Sequence, residues 1–137
     1  MSFREKIAWI ALAGIVIAAA IYFGALFTRP YADHGYYVGL FAAVVAVQAI
    51  VTSAAAIVVA ILSRRDAQAP RDERDRQVAV RAAAQAYYPL LVGVIAAAVT
   101  IHLGNGLFGM LNTLLGVIMA AEALRFALQI VAYRRGL

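Results

Sequence analysis

Three long runs without a single Asp, Glu, Lys or Arg constrain this chain more than any other feature: Ile7–Phe27, Tyr36–Leu62 and Ala82–Ala121. A helix crossing a bilayer needs roughly 20 apolar residues, at 1.5 Å of rise each. The first two runs each supply one span. The third is long enough for one span and most of another, and "GNGLFG" at 104–109 divides it, because Gly and Asn interrupt helices. The predicted spans are therefore about 7–27, 36–62, 82–103 and 107–133. Composition agrees: the chain is 65% hydrophobic and 14% charged, with a mean hydropathy of +0.84. Soluble domains lie nearer 45–50% apolar and about 25% charged. The expected fold is all-α, a polytopic four-transmembrane-helix bundle forming a single membrane domain over residues 1–137.

The first 27 residues superficially resemble a secretory signal, with Arg4 and Lys6 ahead of an apolar core. That core exceeds the 7–15 residues of a signal h-region, so it is expected to be a retained first span. The net charge of +5 does not point to nucleic acid, since nearly all the basic residues flank apolar runs. Arg4 and Lys6 precede span one; Arg64, Arg65, Arg71, Arg74, Arg76 and Arg81 lie between spans two and three; Arg134 and Arg135 close span four. The two opposite loops carry only Arg29. Basic residues gather on the cytoplasmic side, so both termini are expected there, in an inner (plasma) membrane crossed several times. Tyr31, Tyr36 and Tyr37 suit the outer interface, and Trp9 and Tyr133 the inner one. The chain has no cysteine, which excludes disulfides and thiolate metal sites.

At an offset of 70, "REK" (4–6) aligns with "RDR" (74–76), and Arg64-Arg65 with Arg134-Arg135. Positive-inside selection alone places such charges, and that explanation is preferred to duplication. The longest polar stretch, "SRRDAQAPRDERDRQ" (63–77), suggests a cytoplasmic helix extension over about 70–81 that starts near Pro70–Asp72. Asp72–Arg76 and Arg71–Asp75 have the spacing of i,i+4 pairs. Further along that helix, Pro89 lacks the N–H that would bond to Gln85 and should kink it.

Glu122 and Arg125 are the puzzle, because they fall inside the fourth span. At i,i+3 they share a helix face, with Gln129 continuing the stripe. A lone charge at that depth costs about 2.5–3.5 kcal/mol on insertion scales, so the two are expected to pair and turn away from lipid. One reading makes them a structural ion pair; the other makes them, with Gln48 and Gln85, an intramembrane polar cluster serving transport. Gln48 and Thr52 form another i,i+4 polar pair in span two. His34 and His102 are weak candidates for a metal or haem, lacking ligand spacing, and neither metal nor cofactor is expected. Small-xxx-small spacings such as Gly14–Ala18 and Gly35–Gly39 allow close helix approach, and a homo-oligomer, most simply a homodimer, is expected.

"DERDRQ" (72–77), leading into span three, and the basic end "YRRG" (133–136) give the chain a resemblance to a group of uncharacterised prokaryotic four-span membrane proteins with an Asp-Glu-Arg signature at that place. The resemblance covers the architecture and these two short motifs. It implies a membrane partner or sensor, because some members accompany small DNA-binding regulators, and it carries no site residues over. No nucleophile–base pair or phosphate loop appears, so enzymatic activity is not expected. Two functions then compete. The first is a membrane partner or sensor acting through Arg71, Asp72, Glu73, Arg74, Asp75, Arg76 and Arg81 on a cytoplasmic protein. The second is a small homo-oligomeric transporter or channel built on Glu122 and Arg125. The lipid bilayer is a partner in either case.

Overall fold

A computed structural model describes residues 3–29, 33–64 and 73–135. These form four α-helices: α1 (Phe3–Thr28), α2 (His34–Leu62), α3 (Glu73–Val99) and α4 (Gly106–Arg135), with a wide π-type turn at Ile101–Asn105 between the last two. Each is long and apolar enough to cross a membrane. They make two helical hairpins, α1 against α2 and α3 against α4, within residues 1–69 and 70–137 respectively.

The hairpins share one layout. Their turns fall at similar places: Thr28 to Val99 is an offset of 71 and His34 to Gly106 of 72.

In the first hairpin the turn is closed by polar groups. Asp33 caps α2, its carboxylate accepting from the Gly35 N–H at 3.0 Å. The Tyr37 hydroxyl donates to the Arg29 carbonyl, and the Arg29 guanidinium lies 5.8 Å from the Tyr36 ring centre. An Asx cap satisfies one of the orphan amides that a helix start leaves, so the chain reverses without stranding it. Tyr22 meets Phe41 edge to face at 5.7 Å. At the far end Lys6 donates to the Ser63 hydroxyl at 3.2 Å, which places the start of α1 beside the end of α2. Between these ends the helices approach through small residues: Ala8 and Ala18 are buried, and a Cβ on Gly14 would lie 2.9 Å from the Thr52 hydroxyl.

The second hairpin is built similarly. Val78, Ala82, Ala86 and Ala97 of α3 are buried, as are Asn112, Ala121 and Ile130 of α4. Gly93 faces Val117, and a Cβ there would lie 2.9 Å from one valine methyl and nearer still to the other. The buried polar group Asn112 is satisfied locally, its amide donating to the Phe108 carbonyl at 2.8 Å. Thr100 and Thr113 return their hydroxyls to Ala97 and Gly109 in the same manner. Such self-satisfaction is what a helix needs where no water reaches it.

Expectations for the third span divide. The break at 104–109 is borne out: Gly104 has φ 88° and Gly106 φ 63° with ψ 179°, conformations in which a side chain is strained. The start near Pro70–Asp72 lies outside the described residues. The helix runs through Pro89 as one element and ends only at Val99. Large apolar side chains such as Ile17, Ile50, Val92 and Ile95 point outward, while half of the buried positions among the described residues are alanine. In water that ordering would forfeit the hydrophobic driving force; against lipid it has no such cost, and alanine lets backbones close up.

Candidate functional site

The Glu122–Arg125 pair forms as its spacing suggests. Arg125 donates from Nη2 to the Glu122 carboxylate at 2.6 Å, within α4. A little less than one turn of helix separates residues three apart and leaves them on the same face, so no second element is needed to make the pair. The side chains remain 35% and 45% exposed, respectively. The guanidinium also lies 4.6 Å from the Phe126 ring centre, where the ring quadrupole adds attraction. Arg125 Nε is buried and has no hydrogen-bond partner among the described residues.

Gln129 is half-buried on α4 and Gln85 is exposed on α3; neither donates to or accepts from the pair. Gln48 belongs to the first hairpin, where it lies beside Gly14 and Thr52 and lines an apolar groove of about 320 Å³ between α1 and α2. Polar residues of the second hairpin gather instead at the charged end of α3. There Arg74, Gln77, Arg81 and Gln85 line a groove of about 180 Å³ whose other wall is Leu128 and Ala132 of α4. The spacing 74, 77, 81, 85 is one helical stripe. That stripe was visible in sequence, but its facing a neighbouring helix was not.

Of the charged residues between the second and third helices, Arg71 and Asp72 lie outside the described part, and with them the Arg71–Asp75 and Asp72–Arg76 pairs. Arg76 instead reaches Glu73 at 3.9 Å, and Gln77 approaches the same carboxylate at 3.5 Å. Both members of the ion pair are more than half exposed, so it contributes little to stability. Arg74 and Arg81 are exposed on the same segment. No group of three or more His, Cys, Asp and Glu that could hold a metal occurs among the described residues. His34 opens α2 and His102 lies in the turn before α4, while Asp33 is engaged as the helix cap. No protein-family model matches this chain, and neither a curated protein nor a solved structure does.

Proposed function

We propose that this chain is a small multi-pass membrane protein without enzymatic activity, with both termini in the cytoplasm. It acts there as a membrane partner or sensor through the charged start of α3, in keeping with the four-span group it resembles. One observation carries this reading. α3, Glu73–Val99, has 27 residues, about 40 Å of helix, against a hydrocarbon core of about 30 Å. The surplus is about two turns, and the segment 73–81 that would project is where Glu73, Arg74, Asp75, Arg76 and Arg81 stand. A rigid charged rod anchored in a bilayer presents a partner with fixed geometry.

A photo-reactive residue at Val80, which is 60% exposed, should form a discrete cross-linked protein product in cells, whereas one at Val58 should react with lipid alone. Absence of any product at Val80 would count against a partner. The transporter reading is supported by the Glu122–Arg125 pair inside an apolar span. It requires flux through proteoliposomes that Glu122→Gln abolishes, and such flux would displace the partner reading.

Orientation has its own check. The Lys6–Ser63 hydrogen bond supports placing the chain start and the end of α2 on one side. Single cysteines at Ser2 and Ser63 should both resist an impermeant maleimide added outside cells and react after permeabilisation. External labelling of either would refute the assigned topology.

A further inference from the structure

We propose that the groove between the start of α3 and the end of α4 binds the headgroup of an anionic phospholipid, one carrying two phosphates, through Arg81 and Arg74. The proposal rests on the cytoplasmic placement of this segment given above and adds the lipid itself as a ligand of it.

Four observations converge on that groove. First, its polar lining is two guanidiniums and two carboxamides, Arg74, Arg81, Gln77 and Gln85, and no carboxylate. Guanidinium groups match phosphate oxygens with paired N–H donors, and carboxamide NH2 groups add further donors. Second, the acidic neighbour Glu73 is directed to Arg76 and Gln77, whereas Arg81 makes no ion pair among the described residues. Third, Arg81 is the last charge before the uncharged run that begins at Ala82, so it sits where hydrocarbon gives way to headgroups. Fourth, the other wall is apolar, with Leu128 and Ala132 of α4 opposite Val78 and Ala82 of α3. A soluble anion would have no use for that wall. A lipid would lay its glycerol and the first methylenes of its chains along it.

The spacing selects among lipids. Arg74 and Arg81 are seven residues apart, about 10 Å along the helix. One phosphate at the level of Arg81 does not extend to Arg74. A headgroup with two phosphates bridged by glycerol can engage both, and basic pockets between membrane helices on the cytoplasmic side recognise such headgroups.

The test is native mass spectrometry of the full chain released from detergent micelles, titrated with cardiolipin, phosphatidylglycerol and phosphatidylcholine. Cardiolipin adducts should form at concentrations at least about fivefold lower than phosphatidylcholine adducts, with phosphatidylglycerol between them. Arg81→Gln should abolish that preference, Arg74→Gln should remove the advantage over phosphatidylglycerol, and Arg81→Lys should retain part of it. Arg76→Gln, which alters a residue engaged with Glu73, should leave it intact, and circular dichroism should show all four variants folded. Equal cardiolipin selectivity in wild type, Arg81→Gln and Arg74→Gln would overturn the assignment. Displacement of cardiolipin by millimolar inorganic phosphate would also overturn it and make the groove a soluble-anion site. The partner reading fails separately: lipid selectivity without a product from Val80 would sink the protein partner alone. A product from Val80 without lipid selectivity would sink the lipid site alone.

Discussion

Replacing Gly93 by leucine should unfold the second hairpin at a lower denaturant concentration than any other single apolar substitution in it. Its backbone approaches α4 so closely that even a methyl group would lie 2.9 Å or less from both methyls of Val117. Valine has one strongly preferred rotamer in a helix and cannot swing aside, so the helices must separate. Overpacking of this kind costs about 1–3 kcal/mol for modest additions and more for larger ones. Alanine at the same position gains back up to about 1 kcal/mol of helix propensity, so Gly93→Ala should lose about 1–2 kcal/mol and Gly93→Leu about 3 or more. Combining Gly93→Ala with Val117→Ala should restore most of the loss, since the second change removes the methyls that the first one meets. Titration with a denaturing detergent in mixed micelles reads these differences. If Gly93→Leu proves as stable as wild type, the close approach of α3 and α4 is wrong.

Arg125→Ala should be the most damaging polar substitution. It strips Glu122 of the guanidinium that sits 2.6 Å from it and forfeits the contact with Phe126. In an apolar span the cost of an unpaired charge is about 2.5–3.5 kcal/mol, and more by other estimates. Glu122→Gln is milder, because the amide that replaces the carboxylate is neutral and the remaining arginine has a long stem and an aromatic neighbour. The double variant Glu122→Gln/Arg125→Leu should recover much of the stability lost in Arg125→Ala, as expected of a pair whose members chiefly offset one another's burial. A double variant no more stable than Arg125→Ala would show that the pair does more than neutralise itself. Its failure in a flux assay, with folding intact, would assign it to transport.

Much of this protein was legible in the residue string because its controlling signals are local. An uncharged run of more than 20 residues has few ways to satisfy its backbone in lipid, and helix is the economical one. The interruption at Gly104–Gly106 was equally plain, since each glycine takes a positive φ that other residues adopt at a cost. The Glu122–Arg125 pair needed only a three-residue spacing on one helix. Gln85, by contrast, does not join that pair, since doing so requires α3 and α4 to set a particular register.

Register is what the tertiary structure decided. Nothing in a run of alanines distinguishes Ala82, Ala86 and Ala97, which are buried, from Ala83 and Ala84, which are exposed. Hydropathy marks the buried face of a helix in water, but against lipid both faces are apolar and the contrast vanishes. Packing volume then chooses, and it depends on pairs far apart in sequence, Gly93 with Val117 and Gly14 with Thr52. The groove holding Arg74 and Arg81 arises from the same register, because Leu128 and Ala132 become its wall only when α4 lies against that stripe of α3. The sequence by itself determined that there would be four long apolar helices, where the last two are divided and which charges flank them, all consequences of backbone hydrogen bonding and desolvation. Which small residues meet, and therefore where polar side chains find a cleft, followed only from the interlocking of one helix surface with another.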